Sequence, residues 1–151
     1  MLKKIASFAI NHDLLTPGMY ISRIDGDCVT YDLRMKTPNA GDYVDQAALH
    51  TLEHLVATFV RSSERSDEVV YFGPMGCRTG CYLVMFGALT SENILPLIRN
   101  MLQFILDFEG PVPGAAPETC GNYREQNLDM AKYYARKYLA ELEHPCLTYP
   151  E

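Results

Sequence analysis

Residues 45–61 carry the pattern that most restricts how this chain can fold. Their apolar side chains recur every three or four positions, at Leu49, Leu52, Val56, Phe59 and Val60. This spacing predicts an amphipathic helix that packs its apolar face against a core. Asp42 or Asp45 precedes the pattern, and either side chain can cap the helix N-terminus. The rest of the chain must therefore supply a layer that covers one helix face.

Two pairs of strand-like segments flank this helix and are suited to form that layer. Residues 19–25 and 28–35 are rich in β-branched and aromatic side chains and are separated by Gly26 and Asp27, which predicts a β-hairpin. Residues 69–76 and 77–89 predict two further strands joined by a bend rich in glycine and proline.

Two more helices are predicted after the strands. A broad apolar face indicates a helix over Glu92–Phe108 with Ser91 as its cap, and a last helix is predicted over Arg124–Glu143. A loop over residues 109–123 joins them. These elements favour an α+β fold, an antiparallel sheet with helices packed on one face. A chain of 151 residues is expected to form a single domain over 1–151.

The charge pattern excludes some classes of partner. The formal net charge is -6, and the chain contains no run of lysine and arginine. A basic patch for nucleic acid or for an anionic membrane surface is therefore not expected. A small neutral or zwitterionic molecule suits this surface better.

The cysteine count and the amino-terminal segment bear on the compartment. The apolar stretch before Asn11 is too short for a secretory signal, and no later segment resembles a membrane span. Five cysteines are an odd number, so we expect reduced thiols in a cytoplasmic protein. Thiolate chemistry or metal ligation then becomes a question for each cysteine.

The sequence HTLEH, His50 to His54, lies on the first predicted helix. Residues four apart share one face of a helix, so His50 and His54 can both reach one ion, with Glu53 within a turn. The order HxxEH is the inverse of the motif of zinc-dependent peptidases. The alternative is a pair of surface histidines beside a solvated glutamate.

Two histidines need a third ligand to hold a divalent ion firmly. His144 lies near the carboxy terminus, where a solvent-exposed role is expected, whereas Cys120 precedes a predicted helix whose positive end favours a thiolate. Cys120 is therefore the better candidate, although a buried apolar thiol is the alternative. A His/His/Cys set suits zinc or ferrous iron better than magnesium or calcium.

Five segments together resemble one protein family. They are Ser7–Arg23, Tyr31–Asn39, HTLEH at His50, GPMGCRTG at Gly73 and ETCGNY at Glu118. In this order they resemble the S-ribosylhomocysteine lyase (LuxS) family of bacteria over nearly the whole chain. GPMGCRTG and ETCGNY are far more specific than HxxEH.

The resemblance implies a fold similar to that of inverzincin metallopeptidases and a homodimer with both active sites at the subunit interface. It implies one divalent ion per subunit, Fe²⁺, which Zn²⁺ or Co²⁺ can replace. The family's residues match three groups here: metal ligands His50, His54 and Cys120; catalytic acid/base residues Glu53 and Cys77; and substrate-binding residues Ser7, His12 and Arg34.

The resemblance also implies a reaction. S-ribosylhomocysteine is cleaved at its thioether to homocysteine and 4,5-dihydroxy-2,3-pentanedione, the precursor of autoinducer-2, by carbonyl migration through enediolates and β-elimination. A divalent ion stabilises the enediolates by several kcal/mol. Cys77 as a thiolate would move the carbon-bound proton, and Glu53 would serve the oxygens and the elimination. Arg34, if near, would keep Cys77 ionised.

The sequence departs from the family at two places. Cys81 stands where an aromatic residue is usual, and Tyr71 and Phe72 stand where many members carry an acidic residue. The departure at Tyr71 and Phe72 bears on contacts to the amino end of the substrate. We expect Cys28, Cys81 and Cys146 to be structural cysteines. A four-residue separation also permits a Cys77–Cys81 disulfide under oxidation.

Two other functions compete with the lyase reading. A small inverzincin-like metallopeptidase would need an acidic third ligand far downstream in a longer chain, and would leave Cys77 without a role. A metal-binding protein without activity would retain the metal and be indifferent to Cys77→Ala.

Overall fold

The first hairpin of the computed structural model, which describes residues 1–87 and 89–151, forms where the sequence predicts it. Strand β1 (Gly18–Asp25) pairs antiparallel with β2 (Cys28–Arg34), and Asp25 lies opposite Cys28. Gly26 occupies the turn at φ +58°, a conformation that glycine adopts without steric cost. The hairpin is therefore set by local turn chemistry.

The second pair of strands is shorter than predicted. Strand β3 spans Val69–Pro74 and β4 spans Gly80–Phe86. The prediction of a strand over 77–89 is wrong at its start, because Arg78 has φ +61°, which is not a strand conformation. The Arg78 carbonyl accepts a hydrogen bond from the Val44 N–H and not from a neighbouring strand. Ala88, near the end of that predicted strand, lies outside the described residues.

The four strands form one antiparallel sheet in the order β1-β2-β4-β3. In this order β2 lies in the middle, and Arg34 faces Gly18 on one neighbouring strand and Gly80 on the other. The sheet thus brings the end of β2 beside the bend that follows β3.

Four α-helices accompany the sheet in the described part of the chain: α1 (Ala6–Ala9), α2 (Gln46–Ser62), α3 (Ser91–Asp107) and α4 (Leu128–Glu141). A single 3₁₀ turn, Ser66–Glu68, follows α2. Asp45 caps α2 by accepting a hydrogen bond from the Ala48 N–H at 3.2 Å. Asp42 instead pairs with Lys36 at 2.8 Å, so the cap is Asp45.

Two predicted helix starts are corrected. Thr90, and not Ser91, caps α3, since its hydroxyl accepts from the Asn93 N–H in a reciprocal capping box. Helix α4 begins four residues later than predicted because Asn127 caps it, and the Asn127 N–H donates to the Thr51 hydroxyl at 2.9 Å. The loop before α4 therefore packs against α2 instead of continuing the helix.

The hydrophobic core lies between one face of the sheet and the helices. Leu33 of β2 and Cys81 of β4 line a common space with Leu52 of α2, Leu102 of α3 and Tyr138 of α4. This arrangement confirms the α+β prediction, while the likeness to inverzincin peptidases stays a prediction.

Side chains alternate along each strand, so Asp32 and Arg34 lie on the opposite face of the sheet from Leu33. Tyr149, near the carboxy terminus, packs against this opposite face, where its hydroxyl reaches Asp32. The ring of Tyr149 stacks on that of Tyr20 of β1 with centroids 4.6 Å apart. Among the described residues, no helix is both long enough and apolar enough to cross a membrane.

Candidate metal centre and active site

Helix α2 places His50 and His54 one above the other. The Nδ1 atom of each ring contacts a backbone carbonyl at 2.7 Å, Glu125 O for His50 and Pro113 O for His54. Their Nε2 atoms lie 3.1 Å apart. Because a neutral ring that donates from Nδ1 leaves a lone pair on Nε2, the two lone pairs converge on one region.

Cys120 completes the group from a distant part of the sequence. Its Sγ lies 3.4 Å from His50 Nε2, and the donor atoms of His50, His54 and Cys120 all lie within 4.8 Å of one another. The loop holds this position through the Cys120 N–H, which donates to Ala116 O at 2.9 Å. The prediction that these three residues come together is confirmed. His144 is exposed, as expected.

The three donors fit one divalent ion. Two imidazole nitrogens and a sulfur are the ligands that zinc and ferrous iron accept, and three protein ligands leave a position open for water or substrate. The carbonyls behind both Nδ1 atoms fix the ring orientation, as outer-shell partners of metal-bound histidines do. All three side chains are half-buried, so the group remains accessible.

Glu53 lies between two clefts that flank this group. One cleft is lined by His50, Pro74 and Glu125, and the other by His54 and Gly114, while Glu53 lines both. Its carboxylate is half-buried. Glu53 is therefore within reach of a molecule bound in either cleft beside the histidines.

Cys77 lies in the bend between β3 and β4, and its side chain is exposed. Its Sγ lies 3.1 Å from the Thr79 hydroxyl, which accepts a hydrogen bond from Arg34 Nη1 at 2.7 Å. Pro74, at the start of the same bend, lines the cleft of His50 and Glu53. Arg34 therefore lies near Cys77, with the Thr79 hydroxyl between them.

The Arg34 guanidinium is buried and paired with Asp32, whose Oδ2 lies 2.7 Å from Nη2. Burial by itself disfavours the charged guanidinium, but the carboxylate of Asp32 and the thiol of Cys77 raise the pKa of Arg34 above its usual value. A fixed positive charge therefore stands behind the Cys77 bend.

Comparison with known proteins bears directly on this arrangement. The S-Ribosylhomocysteinase (LuxS) family matches residues 5–146 of the chain. The chain belongs to the LuxS family.

Relatives support this membership over nearly the full length. The S-ribosylhomocysteine lyase of Clostridium acetobutylicum is 51% identical over 99% of this chain and 100% of that protein. The S-ribosylhomocysteine lyase of Phocaeicola vulgatus is 52% identical, over 95% of this chain and 92% of that protein. That of Borreliella afzelii is 47% identical, over 95% and 94% respectively.

Ser7 and His12 lie in the amino-terminal segment of this LuxS-family chain. Ser7 lies on α1 and is half-buried, and His12 Nδ1 contacts Ile10 O at 2.9 Å. Neither residue lines the two clefts that Glu53 borders. Their predicted contact with substrate remains a prediction.

The two departures from the family pattern have different surroundings. Cys81 is buried in the core, and burial raises the pKa of its thiol to about 12, so the thiol stays protonated at neutral pH. All five cysteines are free, so the disulfide prediction stays untested. Tyr71 is exposed at the sheet edge, whereas Phe72 is buried and lines the cleft of His54.

Sequence reasoning missed several residues that shape the site. Thr79 links Arg34 to Cys77, and Asp32 holds Arg34. Gly114, at φ +73°, lies against the His54 ring. Asp32 had a local signal, because it shares a strand face with Arg34 two residues on, and Thr79 lies within the GPMGCRTG segment.

Arg78, also missed, anchors the bend that carries Cys77. It adopts φ +61°, and the Val44 N–H donates to its carbonyl at 2.9 Å, just before the start of α2. Its side chain donates back to Val44 O at 3.3 Å. A non-glycine residue in this conformation stores strain, which the surrounding contacts must hold. The bend is thereby tied to the helix of the metal ligands.

Proposed function

We propose that this chain is a metal-dependent S-ribosylhomocysteine lyase that releases homocysteine and 4,5-dihydroxy-2,3-pentanedione, the precursor of autoinducer-2. The observation that carries the proposal is the convergence of His50, His54 and Cys120, with Glu53 beside them, in a member of the LuxS family. The relatives with this name cover the chain almost completely.

His50, His54 and Cys120 would hold one divalent ion per subunit. We propose Fe²⁺, with Zn²⁺ or Co²⁺ able to substitute, because the sulfur and imidazole donors suit these ions. When bound, the ion supplies electrostatic stabilisation to the enediolates through which the carbonyl moves along the sugar. The protein's other residues then have to move protons and orient the substrate.

Glu53 is proposed as the acid/base for the sugar oxygens and for the β-elimination. Its position between the two clefts supports this role, since a carboxylate there reaches a ligand on either side of the histidine pair. General acid/base catalysis of this kind contributes about 10²–10⁴-fold to a rate. No electrons are gained or lost overall.

Cys77 is proposed to remove and return the carbon-bound protons as a thiolate. The contact of its Sγ with the Thr79 hydroxyl, and the Arg34 guanidinium behind that hydroxyl, support this role because both stabilise negative charge on sulfur. Because the Arg34 side chain is buried, its proposed part in substrate binding is through this charge and not through direct contact.

The proposed active unit is a homodimer with its sites at the subunit interface. Met1, Leu2, Ile5 and Phe8 of the amino-terminal segment expose apolar surface, which a second copy of the chain would cover. Ser7 and His12 lie in this segment, so we propose that they reach substrate at the interface. We further propose that residues 1–151 form one lyase domain in the bacterial cytoplasm, where its free thiols stay reduced.

Release of free thiol from S-ribosylhomocysteine by anaerobically purified protein tests the function. We expect release by the native protein and by Cys28→Ala, whose half-buried thiol lies at the start of β2, at the opposite end of that strand from Arg34. Cys77→Ala and the metal-stripped protein should release none. Metal retention without any release from the native protein would instead identify a metal-binding protein. The metallopeptidase alternative is disfavoured because the third donor is a cysteine and not a carboxylate.

A further inference from the structure

A row of polar contacts runs from the carboxy-terminal segment to Cys77. The Tyr149 hydroxyl donates to Asp32 Oδ2 at 2.7 Å, and the same oxygen accepts from Arg34 Nη2 at 2.7 Å. Arg34 Nη1 donates to the Thr79 hydroxyl at 2.7 Å, and that hydroxyl lies 3.1 Å from Cys77 Sγ. The last residues of the chain are thus connected to the proposed catalytic thiol.

The direction of these hydrogen bonds follows from the chemistry of each group. A guanidinium only donates, so the Thr79 oxygen accepts from Arg34 and its single proton remains available for the Cys77 sulfur. A hydrogen bond donated to sulfur stabilises negative charge there. The Thr79 contact therefore depends on where the Arg34 guanidinium is held.

The ion pair that holds Arg34 is incompletely satisfied. Asp32 and Arg34 are 0% and 2% exposed, and within the described residues Asp32 Oδ1 and Arg34 Nε have no hydrogen-bond partner. The carboxylate can therefore turn to offer Oδ1 to the guanidinium, unless a second donor fixes Oδ2. The Tyr149 hydroxyl is that second donor.

The position of Tyr149 is itself built by the fold. Its ring stacks on Tyr20 with an interplanar angle of 16°. The Met19 N–H donates to Cys146 O at 2.9 Å, and Gly18 permits this approach because a Cβ there would collide with the Cys146 carbonyl. Burial, followed by the nearby Asp32 carboxylate, raises the pKa of Tyr149, so its hydroxyl stays protonated and remains a donor.

We propose that Tyr149 is a positioning residue for Cys77: its hydroxyl fixes the Asp32 carboxylate, which holds Arg34 on Thr79 and so directs the Thr79 proton to the sulfur. The carboxy-terminal segment thereby becomes part of the active-site support. The importance of Tyr149 for turnover rests on the proposed lyase function. Its effect on the reactivity of the Cys77 sulfur does not depend on that function.

Alkylation of Cys77 by iodoacetamide, followed on its peptide by mass spectrometry, reads the sulfur directly. Tyr149→Phe keeps the stacked ring and removes only the hydroxyl. We expect about fivefold slower alkylation of Cys77, equivalent to the loss of about one hydrogen bond. The melting temperature should fall by only a few degrees, because the lost hydroxyl bonds a buried carboxylate. Tyr133→Phe, on the exposed surface of α4, is the matched control and should alkylate at the native rate.

Two further variants separate positioning from general loosening. Thr79→Val should slow alkylation of Cys77, and adding Tyr149→Phe to Thr79→Val should slow it no further. Thr79→Ser, which keeps the hydroxyl, should alkylate at the native rate. In the thiol-release assay, Tyr149→Phe should lower kcat by a similar factor.

An unchanged alkylation rate in folded Tyr149→Phe would overturn the proposal, as would equal slowing by Thr79→Ser and Thr79→Val. If the native protein released no thiol from S-ribosylhomocysteine, the lyase function would fail. The alkylation comparison would still decide the role of Tyr149, because it needs no turnover.

Discussion

His50 Nε2 and His54 Nε2 lie 3.1 Å apart, while the Nδ1 atom of each ring contacts a backbone carbonyl at 2.7 Å. Two nitrogen lone pairs held this close repel each other unless a cation or a proton lies between them. The fold therefore pre-organises a cation site on two successive turns of α2.

His54→Gln should abolish metal binding, because two of the three donors do not hold a divalent ion firmly. We expect the metal content of the purified protein to fall from about one ion per chain to about one tenth or less, measured by elemental analysis. His144→Gln, an exposed histidine, should retain the native content. Equal metal content in both variants would exclude His54 as a ligand.

Gly114→Ala should weaken metal binding through the His54 ring. A Cβ at Gly114 would lie 3.2 Å from His54 Nδ1, which displaces either the ring or the Pro113 carbonyl it contacts. We expect a loss of about tenfold in metal affinity in a chelator competition, as for an outer-shell change.

Gly110→Ala is the matched control for Gly114→Ala. Gly110 also has a positive φ, +96°, but a Cβ there would meet no atom within 4 Å. Both variants should lose about 1 kcal/mol of free energy of unfolding from backbone strain, measured by urea titration. Equal loss of metal affinity in the two would point to strain in the loop instead of contact with His54.

Glu53→Gln should lower kcat for thiol release by about 10²–10⁴-fold, because the amide cannot transfer protons. The metal content should stay at the native level, since Glu53 is not one of the three converging donors. Glu64→Gln, an exposed residue beyond the end of α2, should leave kcat unchanged. A Glu53→Gln protein with native kcat would remove this residue from the mechanism.

The free energy of unfolding should fall as the pH rises from about 9 to 12. Burial raises the pKa of Cys81 from 9.0 to about 12, and burial also raises the pKa of Tyr31 from 10.0 to about 12. A group with a raised folded pKa favours the folded state fully only below its unfolded pKa, and this preference is lost as the pH rises toward the folded value.

Cys81→Ala isolates the cysteine contribution to this alkaline destabilisation. Between pH 9 and 11 the native protein should lose up to about 1.4 kcal/mol per pH unit more than the variant, measured by urea titrations at each pH. Cys28→Ala is the matched control, since Cys28 is only half-buried and lies outside the core. Parallel slopes for native and Cys81→Ala would contradict burial of an uncharged thiol.

The sequence predicts those features that depend on neighbours along the chain. Helix α2 was predicted within one residue at each end, because apolar spacing and the Asp45 cap are local. The Gly26 turn and the pairing of His50 with His54 are local in the same sense, being set by backbone conformation and by the pitch of a helix. The family resemblance, confirmed over residues 5–146, added support to the prediction that Cys120 joins His50 and His54 in one site.

Tertiary structure determines the contacts between residues that are distant along the chain. Cys120 reaches His50 across 70 positions only because the loop after α3 folds back on α2. Asn127 caps α4 because the Thr51 hydroxyl accepts a hydrogen bond from its backbone N–H. For this reason α4 begins at Leu128 and not at the predicted Arg124. Tyr149 reaches Asp32 across 117 positions because its segment packs on β1. Such contacts depend on packing and on closing long loops, and no local pattern of residues specifies which distant groups will meet.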